Sequence, residues 1–150
     1  MARQVEVGEK PIARRRAVAV GTLTLASKTV RAVRARTVAK GDPLAAGEIA
    51  GLLAMKRTPE LIPHCHRVNL TSSRVDLTLS PRGVRARAEA NALDRTGVEM
   101  EALVGATVAL LTVWDMVKYL EKDARGLYPA TRLGPVRVER KEKVVEDRLS

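Results

Sequence analysis

The stretch RVDLTLSPRGVRARAEANA, from Arg74 to Ala92, decides the fold. On both sides of its centre, aliphatic residues alternate with charged or polar residues, which is the two-residue period of a half-buried strand. The centre, SPRG over residues 80–83, has the composition of a turn. The stretch therefore predicts an antiparallel hairpin with one aliphatic face and one charged face.

The segments around the hairpin predict helices and one more strand. Spacing and end signals indicate helices over Pro11–Val20, Ala26–Thr37, Pro43–Lys56 and Val98–Lys122, a loop between residues 57 and 66, and a final strand over Val136–Arg140. The Pro43 helix is rich in small residues, which permits close packing against its backbone. Thr96 and Glu99 form a capping-box pattern before the last helix, whose uncharged centre we expect to be buried. The class is α+β: an antiparallel sheet with helices on one face.

The 150 residues fit one domain, 1–150. We expect a flexible N-terminal segment over about residues 1–10 and a charged C-terminal tail over about residues 141–150. No apolar run approaches the ~20 residues of a membrane span, and the charged N-terminus does not fit a signal peptide. A single cysteine permits no disulfide within the chain, which favours the reducing cytoplasm.

Lys and Arg number 27 against 17 Asp and Glu, a formal net charge of +10. This excess favours anionic partners such as nucleic acid, acidic lipid or a small phosphorylated metabolite. Aromatic residues make up 2% of the chain, which argues against single-stranded nucleic acid, whose bases stack on aromatic rings. Heat adaptation is an alternative explanation of so Arg-rich a chain. Composition leaves both a phosphate-handling enzyme and a basic nucleic-acid or phosphate-binding protein open.

Two loops carry residues suited to phosphate or proton chemistry. Lys40, in a Lys-Gly-Asp loop, is either a phosphate-binding or proton-transfer group or part of an ordinary helix entry. His64 and His66 flank Cys65, and in an extended segment both point to one face, as metal ligands would. The chain has no other histidine or cysteine to complete a metal site. Proton transfer, phosphate binding and a structural role are the alternatives.

The last helix carries carboxylates near both ends. Glu99 and Glu101 lie two residues apart, so their side chains diverge, and one can cap the helix while the other faces a cleft. Asp115 and Lys118 are spaced i and i+3. An exposed pair of this kind contributes little, whereas a desolvated pair has the perturbed proton affinities of a catalytic acid and base. The pattern alone leaves both open.

Three of these segments together resemble the MoaC family. They are KGDPLAAGEIAGLLAMKRTPELIPHCH from Lys40 to His66, RTGVEMEAL from Arg95 to Leu103, and LLTVWDMVKYL around Asp115 and Lys118. LGPVR, from Leu133 to Arg137, is similar to the family's last strand. The motifs occur in order over nearly the whole chain, which makes the resemblance specific.

The resemblance implies a ferredoxin-like fold and a homohexamer, a trimer of dimers with active sites at the dimer interface. It implies a lyase, cyclic pyranopterin monophosphate synthase of molybdenum cofactor biosynthesis. The substrate would be a cyclised dihydroguanosine triphosphate, 3′,8-cyclo-7,8-dihydro-GTP, and pyrophosphate would be released. The implied enzyme needs no cofactor and no metal, and its functional links are to the upstream radical enzyme and the downstream molybdopterin synthase. Neither nucleic acid nor a membrane is an implied partner.

Residue by residue, the resemblance implies two groups of site residues. The catalytic group is Asp115, Lys118 and Lys40. The substrate-binding group is His64, Cys65, His66, Met100, Glu101, Glu99, Arg57 and Arg15. The cations would hold the phosphates, and carboxylates with Lys118 would carry the proton transfers.

The sequence departs from the family pattern at three places. The family's Leu-Cys-His-Pro reads His-Cys-His-Arg over residues 64–67 here, and Arg16 stands where a glutamate is common. The family's glycine- and lysine-rich C-terminal tail is replaced by Arg-Lys-Glu-Lys over residues 140–143, in which Lys141 aligns with a family lysine.

Overall fold

The predicted hairpin forms two neighbouring strands of a four-stranded antiparallel sheet in the computed structural model, which describes residues 1–145. The elements are β1 (Ala13–Thr24), α1 (Ser27–Arg34), α2 (Pro43–Lys56), α3 (Thr58–Leu61), β2 (Leu70–Ser80), β3 (Gly83–Asp94), α4 (Glu99–Glu121) and β4 (Arg132–Val144). The strand order is β2-β3-β1-β4, and every neighbouring pair is antiparallel. This is the split βαβ arrangement of ferredoxin-like folds. The predicted α+β class is confirmed.

The two central strands present small side chains to the helices. Ala17 pairs with Ala90 and Ala19 with Ala88 across β1 and β3, and all four are buried. Because these side chains are short, the long helix α4 packs close to the sheet, with its own alanines and Val113 in the core. The core is aliphatic, as the composition indicates.

The opposite face of the sheet is charged. Arg16 on β1 donates to Glu89 on β3, at 2.8 and 3.0 Å, and to Glu142 on β4 at 3.3 Å. The hydrogen bond from Arg16 outweighs burial and lowers the pKa of Glu89 to about 2. The arginine that replaces a common family glutamate thus joins three strands.

Helices α2 and α4 meet at glycines. A Cβ added to Gly47 would lie 2.9 Å from the Ala109 carbonyl oxygen, and one added to Gly51 would lie 2.8 Å from that of Gly105. Any larger residue would push the two helices apart. The small residues predicted to allow close packing therefore do so, and α2 has the predicted bounds.

One predicted helix is wrong. The end signals of Pro11 and Gly21 predict a helix over Pro11–Val20, but residues from Ala13 onwards form β1, at the centre of the sheet. Its buried positions include Ala13, Ala17 and Ala19, which follow the period of a strand. Tertiary packing between two partner strands overrides the weak helical preference.

Several element ends also differ. Val98 is the N-cap residue of α4 and Thr96 makes no capping hydrogen bond, so the capping-box prediction is wrong. The predicted helix over residues 26–37 is α1, which ends sooner, and the predicted loop after α2 holds α3. The predicted strand Val136–Arg140 is the middle of the longer β4, which includes residues 141–144 of the predicted tail. Val145 follows β4 outside any element, and residues 146–150 of that tail lie outside the described residues.

By length and composition alone, α4 could cross a membrane, contrary to the expectation from the short apolar runs of the sequence. Its inner face lies against the sheet and α2, so in this fold it is the core helix of the domain.

Candidate active site

Lys40, Asp115 and Lys118 come together at the C-terminal half of α4, and we call them the Asp115 cluster. Lys118 Nζ donates to Asp115 Oδ1 at 2.7 Å, and Lys40 Nζ donates to Asp115 Oδ2 at 3.3 Å. The hydrogen bond from Lys118, followed by that from Lys40, lowers the pKa of Asp115, and Asp115 in turn raises the pKa of Lys118. The cluster holds one carboxylate between two ammonium groups, so its surplus positive charge suits a phosphate.

The Asp115 cluster is open to solvent within one chain. The side chains of Lys40, Asp115 and Lys118 are 47%, 58% and 44% exposed. Ion pairs this exposed contribute little to stability. The sequence left open whether Asp115 and Lys118 form an exposed or a desolvated ion pair. In a single chain the pair is exposed, and only a bound molecule or a second chain could desolvate it.

A second group lies near the start of α4, and we call Arg15, Cys65, His66, Glu99, Glu101 and Lys141 the Glu101 cluster. Glu101 is 2% exposed, and its Oε1 accepts a hydrogen bond from the Cys65 thiol at 3.8 Å. Within the described residues its Oε2 is buried without a partner. Burial raises the pKa of Glu101, and burial followed by the charge of Glu101 raises that of Cys65. This carboxyl group holds its proton at a higher pH than an ordinary glutamate.

Glu99 lies beside Glu101 in sequence but has a different electrostatic environment. Burial opposes its ionisation, but the hydrogen bond from Lys141 Nζ at 2.8 Å and the charges of Lys141 and Arg15 lower the pKa of Glu99 overall. Arg15 Nη2 donates to the Arg95 carbonyl oxygen at 3.1 Å, while its Nε is buried without a partner among residues 1–145. The two carboxylates therefore diverge, as their spacing predicts, and hold their protons over different pH ranges.

The N-terminal segment covers part of this group. Gln4 Nε2 donates to the Cys65 carbonyl oxygen at 2.9 Å, and His66 Nε2 lies 2.6 Å from the Val5 carbonyl oxygen. Arg95 Nη1 reaches the Lys10 carbonyl oxygen at 2.5 Å. The expected flexibility of residues 1–10 stays a prediction, but the segment makes defined contacts with the predicted substrate-binding residues.

Beside Glu101 a cleft of about 450 Å³ opens between the end of α2 and the start of β2. Lys56 and Arg67 bring positive charge to it, and Ser72 and Ser73 bring hydroxyl groups. A buried carboxyl group at the wall of a cationic cleft can exchange a proton with a bound anion.

The remaining predicted residues are less constrained. Met100 is half exposed beside Glu101, and His64 is exposed. Arg57 joins α2 to α3, and its backbone N–H donates to the Ala54 carbonyl oxygen. No hydrogen bond or ion pair within residues 1–145 links the side chains of His64 or Arg57 to either cluster. Across those residues no three His, Cys, Asp or Glu side chains group in a way that could hold a metal ion.

The two clusters do not meet within one chain. Glu101 and Asp115 are separated by 14 residues of α4, which at 1.5 Å per residue places them roughly 21 Å apart. Most of the residues predicted to form one site therefore fall into these two clusters near opposite ends of α4, which we call the two half-sites, whereas His64, Met100 and Arg57 belong to neither.

The sequence model of the MoaC family matches residues 4–143, a range that includes both half-sites. The chain belongs to the MoaC family. The probable cyclic pyranopterin monophosphate synthase of Archaeoglobus fulgidus is 49% identical over 94% of this chain and 90% of its own length. That of Pyrococcus abyssi is 48% identical over 94% of this chain and 89% of its own length. A Methanothermobacter thermautotrophicus protein named as a probable accessory protein of this synthase is 46% identical over 95% and 89%.

As a MoaC-family member, the chain is an enzyme of molybdenum cofactor biosynthesis with cyclic pyranopterin monophosphate synthase function. Its altered C-terminal segment still places a lysine in the Glu101 cluster, since Lys141 on β4 forms an ion pair with Glu99. Val136 and Val138 alternate with charged residues and predict the middle of this strand, but residues 139–143 are all charged, so the sequence has no period-two signal for its extension.

Proposed function

We propose that the chain converts 3′,8-cyclo-7,8-dihydro-GTP to cyclic pyranopterin monophosphate, with release of pyrophosphate, in a site that two copies of the chain build together. The observation that carries the proposal is the separation of the two half-sites along α4. The nucleotide-derived substrate is shorter than the roughly 21 Å between the two half-sites. One bound substrate molecule therefore cannot contact both half-sites of a single chain.

The outer surface of α4 supports the pairing of two chains. Between the half-sites this surface presents Leu111, which is exposed, and Val104 and Val108, which are partly buried, and Met100 extends it at the Glu101 end. Val108 lies midway between Glu101 and Asp115 in sequence. Two α4 helices that pack antiparallel about a two-fold axis near Val108 would set the Glu101 cluster of each chain beside the Asp115 cluster of the other.

The chemistry of the two groups is complementary. Lys40, Lys118 and Arg15 supply positive charge for the triphosphate, with Arg57 as a further cation, and His66 supplies a hydrogen-bonding ring nitrogen. Opening and reclosing the purine-derived rings requires repeated proton transfers, and these fall to Asp115, Lys118 and Glu101.

The phosphate step follows from the same groups. A substrate hydroxyl oxygen bonds to the innermost phosphorus while the bond from that phosphorus to the next phosphate oxygen breaks, and pyrophosphate leaves. The hydroxyl proton passes to a carboxylate of the site. The lysines stabilise the charge on the leaving group.

The proposal extends to the setting of the enzyme. A homohexamer, a trimer of dimers, provides the paired chains; the family resemblance and the exposed apolar residues of α4 support it. A cytoplasmic location fits the single cysteine, and an upstream radical enzyme would supply the substrate while molybdopterin synthase would use the product.

The direct test is incubation of the purified protein with the cyclic triphosphate. We expect cyclic pyranopterin monophosphate and pyrophosphate in equal amounts, measured by mass spectrometry and a coupled pyrophosphate assay. The heat-denatured protein is the control. Absence of product from the native protein would refute the proposed reaction, and tight, steeply salt-dependent binding to DNA in its place would favour the basic binding protein.

A further inference from the structure

The hydroxyl group of Tyr119 contacts the loop that carries Lys40. Tyr119 Oη accepts a hydrogen bond from the Ala39 backbone N–H at 2.8 Å, and Ala39 is the residue before Lys40. Tyr119 lies one turn after Asp115 on α4 and directly after Lys118. The helix that carries two members of the Asp115 cluster therefore also holds the backbone beside the third.

The loop is fixed at both ends by its own hydrogen bonds. After α1, Arg36 adopts a left-handed conformation with φ of 57°, and the Thr37 N–H donates to the Ala32 carbonyl oxygen at 3.0 Å. Before α2, the Gly41 N–H donates to the Val38 carbonyl oxygen at 3.1 Å. Between these ends, the bond from Ala39 to Tyr119 connects the loop backbone to α4.

Placement of the Lys40 backbone matters because its side chain has little else to order it. The lysine side chain is long and flexible, and it is 47% exposed. Its ammonium group reaches both the Asp115 carbonyl oxygen, at 3.2 Å, and Asp115 Oδ2, at 3.3 Å. These distances are long for charge-assisted bonds, so both contacts are weak, and a shift of the Lys40 backbone would lower the fraction of time that the ammonium group spends against Asp115.

We propose that Tyr119 is a positioning residue that holds Lys40 against Asp115 through the Ala39 N–H. Its role in the reaction rests on the proposed function of the Asp115 cluster, whereas its effect on the position of Lys40 does not. The alternative is a structural tyrosine that covers the loop and has no effect on the position of Lys40.

The first test needs no substrate. Tyr119→Phe keeps the ring and removes the acceptor, so the Ala39 amide should exchange its hydrogen faster, and the pKa of Asp115, followed by NMR, should rise toward its value in Lys40→Ala. Tyr128→Phe is the control for Ala39 exchange: this ring packs against Trp114 with centroids 5.6 Å apart, and its hydroxyl makes no hydrogen bond within residues 1–145. The charge of Tyr128 contributes to the raised pKa of Lys118, so this variant is compared by Ala39 exchange and not by the Asp115 titration. Unchanged exchange of Ala39 and an unchanged Asp115 titration in Tyr119→Phe would overturn the proposal.

The second test links the position of Lys40 to the reaction. Loss of one neutral hydrogen bond corresponds to about a three- to tenfold loss of kcat in Tyr119→Phe, together with a small fall in melting temperature. In a Lys40→Ala background the same substitution should have no further effect. An equal loss of kcat in the wild-type and Lys40→Ala backgrounds would show that Tyr119 does not act through Lys40. If the Asp115 titration shifts and kcat does not, the positioning stands and the catalytic assignment of Lys40 fails.

Discussion

The two ends of α4 hold carboxyl groups in opposite environments. Asp115 is exposed between two lysines, which lower its pKa, whereas Glu101 is buried, has one oxygen without a partner within the described residues, and has a raised pKa. Both groups are carboxylic acids on one helix, so the difference comes from cations at one end and burial at the other. One helix thereby supplies a charged carboxylate and a protonatable one, the combination that acid and base chemistry requires.

The largest expected effect comes from the charged end. Asp115→Asn keeps the size of the side chain but removes its charge and its ability to accept a proton. We expect product formation to fall by ~10²–10⁴-fold, because a positioned proton-transfer group is lost. Lys118→Ala should have a similar effect. Turnover is measured under saturating substrate, with assembly checked by analytical ultracentrifugation, and wild-type turnover in either variant would refute the assignment.

At the buried end, Glu101→Gln should lower turnover by about 10²-fold, since the amide cannot transfer a proton. Stability should change in the opposite sense. Folding raises the pKa of Glu101, so the unfolding free energy of the wild type decreases as the pH rises from the unfolded-state pKa to the folded-state pKa. The variant lacks this ionisable group, so its unfolding free energy does not decrease for this reason. Urea unfolding at pH 4 and pH 8 measures the difference, which should favour the variant at pH 8.

Glu99→Gln is the matched control for this comparison. The pKa of Glu99 is lowered on folding, so its contribution to stability is present above the unfolded pKa and is lost as the pH falls through the folded pKa. The variant should therefore be less stable than the wild type at pH 8 and no less stable at low pH. The same sign of effect for both glutamates would contradict the opposite environments deduced for them.

A second buried glutamate sharpens the contrast. Glu121, at the end of α4, accepts hydrogen bonds from the Ala26 N–H at 2.9 Å and from the hydroxyl groups of Thr29 and Thr131 at 2.5 and 2.9 Å. Unlike Glu101, it is fully partnered. Glu121→Gln should cost roughly 1–3 kcal/mol of unfolding free energy, because an amide nitrogen replaces an acceptor. A urea midpoint equal to that of the wild type would show that these bonds are not structural.

The smallest effect is expected at Lys141. Its side chain is 63% exposed, and its ion pair with Glu99 is accordingly weak. Lys141→Ala should change turnover less than about fivefold and should raise the pKa of Glu99, which an NMR titration measures. Loss of activity as large as that of Asp115→Asn would instead place Lys141 at the centre of the reaction.

The sequence predicted local features more accurately than long-range ones. The hairpin and α2 follow from period and turn chemistry, which act within a few residues. The helix predicted over Pro11–Val20 failed because β1 is a strand by virtue of two partners distant in sequence. The bond from Ala39 to Tyr119, residues 80 positions apart, left no sequence signal that the pattern analysis could detect.

The site was predicted as a set of residues but not as an arrangement. The MoaC resemblance predicted all members of the two clusters except Lys141, and the i, i+3 spacing of Asp115 and Lys118 agrees with the hydrogen bond between them. Burial of Glu101 depends on packing that no local pattern encodes. The separation of the half-sites, in contrast, follows from the length of α4 once the helix is known. The proposal of a composite site, built by one half-site from each of two chains, rests on this separation.

The composite site is tested most directly by mixing two inactive variants, Asp115→Asn and Glu101→Gln, in one assembly by co-expression. In a mixed two-fold pair, one site carries both substitutions and the other carries neither. With random pairing, about one quarter of wild-type activity should return, because half of the pairs are mixed and each regains one of two sites. Activity no greater than the mean of the two separate variants would contradict a site shared between chains.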